Sequence, residues 1–555
     1  MRIFSIFIWL IIGLLFLTAS SRAEETGVDK LLDLLQEKDL ITPEEAAGLR
    51  TNLARKESDQ RLEKLERHIE VLERRLEASE QENRRLYAGK SVIVPSGLQP
   101  DIKALDQKVE ALERKLEEEQ KIMAENAKKT PKLEAGPTGF RLISPDGDHF
   151  LNLRGSVQTD GKFFVDDDDK QATAGSDLPD RFELKQARIR LEGRLLKYFD
   201  FKIMPDFGGS SVRLFDAFVD THYFPFASLN IGKQKTPISL ERLQGDNDFT
   251  FLERAYPTYL ASNRDVGIML HGEFSRPGYK TEYSGPVDFK NLVSYQLGVF
   301  NGVGDNGPLD QTDIDDDKAF AGRIWAHPFQ HSGISILEGF GIGVGGSWEQ
   351  PKEGKLASLP SPNGQNTIVD YSNRGAGTAS LTGDGDHYRI FPQAYWYYGP
   401  YGLLAEYAVS SQKLLGTEAG GQSTHIQQDN TAWQIQASYV VTGEDNTFQS
   451  VKPRENFDPL NGKWGALQLA ARLTGLDIDN DTFKNHGSSG SPFVFLDPAR
   501  SVTRATTWTL GVNWFLSKYT RIMADYEQTY FDGGAAEGRD RLTEKVFSTR
   551  FQLSF

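Results

Sequence analysis

The chain ends Phe547-Ser548-Thr549-Arg550-Phe551-Gln552-Leu553-Ser554-Phe555, and the reading of this stretch decides the fold. Phe547, Phe551, Leu553 and Phe555 fall on one parity; Ser548, Arg550, Gln552 and Ser554 fall on the other. A strand points alternate side chains to opposite faces, so this one is apolar on one side and polar on the other. A terminal strand of that kind, ending in an aromatic residue, fits the strand that closes a membrane β-barrel. Apolar side chains meet lipid, polar ones meet a wet lumen, and the aromatic sits in the interfacial girdle. An edge strand of a soluble sheet alternates too, so the rest of the chain must decide.

Working back from the tail, the same alternation recurs from about residue 140. Apolar parities include Leu151, Leu153, Val157; Ala187, Ile189, Leu191; Trp433, Ile435, Ala437, Tyr439; Leu467, Leu469, Ala471, Leu473; and Trp508, Leu510, Val512, Trp514. Clusters of Gly, Asn, Asp and Pro separate the segments. Tyr398-Gly399-Pro400-Tyr401 and Leu516-Ser517-Lys518-Tyr519 read as short turns, and 351–386 as a long polar loop. Short turns at one end and long loops at the other is the barrel pattern. At roughly 25 residues per strand and connection, 140–555 is expected to form an all-β transmembrane barrel of about 16 antiparallel strands, with 18 as the alternative.

The region before 140 reads differently. Residues 1–23 have a charged start at Arg2, an apolar core over 3–17 and small residues at Ser21 and Ala23, the pattern of a cleaved secretory signal. Residues 24–57 read as a helical hairpin, with Thr42 as N-cap, Pro43 at the first helical position and Glu44 and Glu45 in the first turn. Residues 58–130 read as a coiled coil. Leu62, Leu65, Ile69, Leu72, Leu76, Ser79, Asn83 and Leu86 hold a 3-4 spacing, and Ile102, Leu105, Val109, Leu112, Leu116 and Met123 form a second seam beyond a break at 89–100. Such seams favour self-association, with a homotrimer or a dimer compatible. An exported chain would carry this region in the periplasm.

Bulk properties agree. Mean hydropathy is −0.47, and no apolar run after the N-terminus reaches the ~20 residues a spanning helix needs. Cysteine is absent, which excludes disulfides and thiolate metal sites. No Walker glycine loop, nucleophile elbow or HExxH pattern occurs, so an enzyme is not expected, nor a metal or other cofactor. His271 and His327 stand isolated in the sequence. The net charge of −15 gives no basic footprint for nucleic acid.

In a barrel, the parity opposite the lipid face lines the pore. On 186–194 that parity carries Gln186, Arg188, Arg190, Glu192 and Arg194, a ladder of three arginines. Arg154, Arg323, Arg472 and Arg550 join the lumen by the same argument. Guanidinium suits oxyanions because it is always charged and can bind in a bidentate way, and charged rings set pore selectivity. Glu192, Glu406, Asp525 and Glu527 fall on the lumen parity as well. The local field, not the net charge, decides what passes.

Several blocks together resemble the phosphate-selective porin O and P family. They are Gln186-Ala187-Arg188 through Asp200-Phe201-Lys202; Asp216-Ala217-Phe218; Ile231-Gly232-Lys233-Gln234-Lys235-Thr236-Pro237 with Ser239-Leu240-Glu241-Arg242-Leu243; Phe249-Thr250-Phe251-Leu252-Glu253-Arg254; Arg264-Asp265-Val266-Gly267; Gly298-Val299-Phe300-Asn301-Gly302; Tyr439-Val440-Val441-Thr442-Gly443-Glu444; and Phe555. The resemblance implies a trimeric 16-stranded channel in the bacterial outer membrane, with a loop folded into each pore. The stretch 235–264 is similar to that loop, which makes Lys235, Arg242, Arg254 and Arg264 candidates for a basic constriction. It also implies phosphate binding through lysines, whereas here arginines dominate the lumen parity. The expected function is passive diffusion of small, phosphate-like anions. The alternatives are a general diffusion porin with little selectivity, or a barrel anchoring a structural periplasmic coiled coil.

Overall fold

Phe555 is tied to the start of the barrel. Its N–H donates to the Gly155 carbonyl and its carbonyl accepts from the Gly155 N–H, both at 2.9 Å. Its ring lies over Gly155, where a Cβ would stand 2.4 Å from the ring's Cζ; only glycine admits the closing aromatic there. The computed structural model describes residues 132–555, apart from 137–138, 166–178, 210, 282–284, 286–290, 303–315, 373, 419 and 488–491, and scattered positions between 107 and 131. Its strands are β1 (Lys132–Gly136), β2 (Gly139–Ile143), β3 (Phe150–Phe164), β4 (Arg181–Leu195), β5 (Phe199–Asp206), β6 (Arg213–Phe224), β7 (Ala227–Lys235), β8 (Arg264–Phe274), β9 (Val293–Phe300), β10 (Ala319–Ala326), β11 (Phe340–Glu349), β12 (Leu359–Pro360), β13 (Thr367–Val369), β14 (Thr378–Tyr398), β15 (Tyr401–Glu418), β16 (Ser423–Val440), β17 (Ala466–Asp477), β18 (Val502–Phe515), β19 (Thr520–Gly533) and β20 (Glu544–Ser554).

Each strand from β3 to β11 and from β14 to β20 pairs antiparallel with its neighbours, and β20 pairs with β3 through Gln552↔Gln158 and Arg550↔Asp160. This closes a barrel of 16 strands. The hydrogen-bonded sheet counts 18, because β1 and β2 form a hairpin added beside β3. Among the described residues the first strand is β1, from Lys132. Among the described residues no helix is long and apolar enough to cross a membrane. The signal, the helical hairpin and both heptad seams lie outside the described residues.

The parities fall as the alternation predicts. Leu469, Leu473, Leu510, Val512, Phe547, Phe551 and Leu553 are exposed on the outer face, while Gln434, Gln436, Arg472, Asn513, Arg550 and Gln552 are buried inside. Aromatic pairs mark the rims, among them Phe140–Phe555, Tyr401–Tyr439 and Phe457–Trp514 toward the end that carries Phe555.

The connections depart from a simple two-ended pattern. The turn after Tyr398 is tight, with Tyr398 paired to Tyr401, and 516–519 is short as well. At that same end, however, 275–292, 327–339 and 441–465 are long. At the opposite end the loop 236–263 turns inward and carries two short helices, α1 (Leu240–Leu243) and α2 (Tyr256–Leu260). A third, α3 (Ser335–Glu338), lies in 327–339. The stretch 351–386, expected as a long polar loop, gives buried Leu359, Ile368 and Val369 and then enters β14. These pack with Ile238, Tyr256 and Leu260 into an apolar core inside the barrel. Phe493 and Phe495 of 478–501 cover Leu414 and Ile426 in a second one. Burying apolar side chains holds the loops inward.

Candidate pore constriction

The loop 236–263 narrows the lumen because wall side chains seize its backbone. Its entry needs space at Gly345, where a Cβ would meet the Ile238 carbonyl at 2.1 Å. Glu406 of β15 accepts from the Leu240 N–H at 2.7 Å, and Asp525 of β19 accepts from the Leu252 N–H at 2.8 Å. Arg472 donates to the Glu253 carbonyl at 2.8 Å, Arg521 to the Phe249 carbonyl at 2.8 Å and Arg550 to the Leu252 carbonyl at 2.7 Å. The second inward loop is held alike, since Glu527 accepts from the Asn363 N–H at 2.7 Å.

These wall charges are also paired with one another. Arg550 holds Asp160 through two bonds of 2.7 Å, and Arg472 lies 3.5 Å from Glu527 and 3.7 Å from Glu241. Arg242 is buried and donates to the Thr258 carbonyl at 2.6 Å, bracing the loop from within. Arg323 donates to Gln393 at 3.0 Å and lies over the Trp325 ring. Asp160, Glu183 and Glu253 come within 4.8 Å of one another. Cations hold this group: Lys162 stands 3.2 Å from Glu183 and 3.4 Å from Glu253, and Arg550 holds Asp160.

A different arrangement faces the loop from β4 and β8. Arg188 pairs with Asp206 at 2.9 Å and with Asp246 of the loop. Arg254 reaches Asp246 at 2.7 Å and Arg264 reaches it at 3.7 Å. Arg188 and Arg264 both lie over the Phe215 ring, 4.0 and 4.7 Å from its centroid, so their planes are fixed. Burial alone would push the Asp246 carboxyl up; the surrounding Arg188, Lys235, Arg264 and Arg254 instead hold it well below the usual carboxylate range. Lys235 donates to the Gln244 carbonyl at 2.8 Å.

Beside this cluster is a cavity of about 410 Å³ lined by Arg190, Lys202, Lys235, Arg264, Asp216 and Asp246, among others. Lys202 pairs with Asp216 at 3.1 Å, and Arg264 with Asp216 at 2.6 Å. Arg190 has no carboxylate at ion-pairing distance among the described residues, and its Nε has no hydrogen-bond partner. Arg154 pairs with Glu192 at 3.3 Å, and Arg194 makes two bonds to Asp200. The eleven arginines and lysines singled out in the sequence thus divide. Arg188, Arg190, Lys235, Arg254 and Arg264 gather around Asp246 and the cavity, with Arg154 and Arg194 at its edge. Arg242, Arg472 and Arg550 hold the loop, and Arg323 lies on another stretch of wall.

Sequence reasoning missed Arg521, Lys162, Lys202 and Arg389, all on the inner face; Arg389 pairs with Glu349 at 2.9 Å. Carrying the parity argument along the whole of β3 and β19, and on to β5 and β14, would have found them. His271 and His327 are inner-face residues too, bonded to Asp220 at 3.0 Å and to the Tyr395 hydroxyl at 2.8 Å.

The family model of phosphate-selective porin O and P matches residues 157–555. The chain belongs to that family. It is accordingly a porin of the outer membrane, a channel rather than an enzyme. Among solved structures, this porin is similar to an anion-selective porin from Comamonas acidovorans, at 13% identity and a TM-score of 0.42 over 73% of this chain and 100% of that one. It is also similar to the outer membrane channel DcaP of Acinetobacter baumannii, at 10% identity and a TM-score of 0.43 over 73% and 97%. OprB of Pseudomonas putida gives 10% identity and 0.43 over 74% and 95%. A search of curated proteins found no match.

Proposed function

We propose that this porin passes small anions, phosphate-like oxyanions among them, by passive diffusion along the β4–β8 wall. The observation that carries the reading is the cavity flanked by Arg190, Lys202, Lys235 and Arg264, where Arg190 keeps a guanidinium free of ion pairs. An oxyanion arriving there trades part of its hydration for guanidinium and ammonium contacts. Asp216 holds Lys202 and Arg264, and Asp246 also holds Arg264, which keeps the site weak enough for release. The charges are fixed before the solute arrives, so little reorganisation opposes entry.

On this reading the protein works as a homotrimer, with the heptad region 58–130 in the periplasm. A general diffusion porin is the competing reading, favoured by the ion-pairing of Arg188, Arg194, Arg472 and Arg550. The deciding experiment is the zero-current potential of the purified protein in a planar bilayer under a potassium chloride gradient, followed by added phosphate. A chloride-selective potential with block by phosphate supports the proposal. A cation-selective or unselective potential overturns it in favour of the general porin. A barrel that mainly anchors the coiled coil would instead lose envelope integrity, with conductance unchanged, on deletion of 29–129.

A further inference from the structure

A second cavity, of about 550 Å³, shares no lining residue with the one beside Asp246, and the anion pathway does not use it. Its aromatic wall is Tyr395 and Tyr397 of β14 with Phe448 of the connection 441–465. The wall is rigid for a stated reason. His327 Nδ1 donates to the Asn291 carbonyl at 2.8 Å, so Nε2 accepts, from the Tyr395 hydroxyl at 2.8 Å and the Trp325 Nε1–H at 3.1 Å. That fixes the Tyr395 ring. Phe448 stacks on it with centroids 5.2 Å apart, and Tyr397 tilts against it at 5.3 Å. Phe448 is held in turn by the constriction loop, since Gln244 Nε2 donates to its carbonyl at 2.7 Å.

Three of the polar groups facing this wall are unspent. The Tyr397 hydroxyl has no hydrogen-bond partner among the described residues, and neither Lys452 nor Asp445, both exposed on the lining, has an ion pair there. A free phenol, a free ammonium and a free carboxylate around an apolar ring platform do not suit a small inorganic anion. Glu338, Glu444 and Asp445 on the lining outnumber Lys452 and Arg454, so there is no cationic excess to hold an anion, and the rings offer it nothing.

We propose that this cavity is a binding site for a neutral polyol, a sugar ring. The C–H face of such a ring covers aromatic surface while its hydroxyls both donate and accept, which a mixed set of phenol, ammonium and carboxylate can satisfy together. The site carries solute specificity beyond the anion pathway, at the end of the pore that carries Phe555. Because Phe448 touches the constriction loop, a sugar seated there is placed to impede the ion current.

The test is isothermal titration of maltose into the full-length protein in a polyoxyethylene detergent, with phosphate and phenylalanine titrated alongside, and current block by maltose in planar bilayers. The expected result is maltose binding that weakens about tenfold in Tyr397→Phe and in Lys452→Ala, while the thermal midpoint and phosphate block stay unchanged. Absence of maltose binding overturns the site, as does binding indifferent to both substitutions. Phenylalanine binding in place of maltose also overturns it and assigns the cavity to zwitterions. Channels that conduct but ignore maltose refute this site and leave the anion reading intact; titration heat without channels does the reverse.

Discussion

The two sides of the lumen use similar residues in different ways. On the β15–β20 side, Arg472, Arg521 and Arg550 donate to carbonyls of the inward loop, while Glu406, Asp525 and Glu527 accept from loop N–H groups. Charge there is consumed by architecture. On the β4–β8 side, several cations converge on one loop carboxylate, Asp246, beside an open cavity. Charge there lines a space a solute can enter. The comparison teaches that an arginine on the lumen parity is not by itself a selectivity element. What matters is whether its donors are already committed.

The largest effect is expected where charge serves structure. Arg550 and Asp160 are almost fully buried, and removing one partner of a buried pair costs roughly 3–5 kcal/mol because the other charge is left unmatched. Arg550→Ala should lower the thermal midpoint of the detergent-solubilised barrel markedly. It should also raise conductance and blur selectivity, since Leu252 and Glu253 lose a holder. If Arg550→Ala left stability alone and only weakened phosphate block, the two walls would not differ as described.

On the opposite wall the expected signs are reversed. Arg190→Ala should leave the thermal midpoint unchanged and weaken phosphate block about tenfold, some 1.4 kcal/mol, because no carboxylate lies at ion-pairing distance from the group among the described residues. Asp246→Asn should raise the chloride-to-potassium permeability ratio by freeing its guanidiniums. The pH dependence follows from the depressed Asp246 carboxyl. A group whose folded pKa lies below its unfolded value near 4 contributes stability fully above that value and loses it only as pH falls through the depressed one. The part of the selectivity set by the Asp246 carboxyl should therefore stay flat from pH 7 to about pH 5, as reversal potentials would show. A change across that window would mean that another group sets the field.

Much of this was legible in the chain. The period-two alternation around Phe551, Leu473 and Leu510 gave strands and faces, because lipid on one side and water on the other impose the pattern residue by residue, and the chain length per strand gave a count of about 16. The loops were not legible. Leu359 and Ile368-Val369 are short apolar stretches in a polar loop and Phe493 to Leu496 is a short apolar run, and nothing local says that they fold into the barrel; their burial depends on contacts with Tyr256 and Leu414 far along the chain. The arginines show the same limit. Parity placed Arg188 and Arg472 inside, but their partners Asp246 and Glu527 come from distant segments, so alternation could not divide loop-holding arginines from those beside the cavity.

The smallest expected effect provides the sharpest control. Arg504 lies at the rim beside Asp477 and Asp532, with 59% of its side chain exposed. Exposed pairs contribute about 0–1 kcal/mol and are screened by salt. Arg504→Ala removes the same unit of charge as Arg190→Ala, yet should shift neither the thermal midpoint nor the reversal potential measurably at moderate salt. If the two substitutions changed selectivity alike, the summed surface field rather than the cavity would govern ion choice, and the distinction between the walls would concern stability alone. If only Arg190→Ala acts, selectivity is local and belongs to a guanidinium that no carboxylate holds.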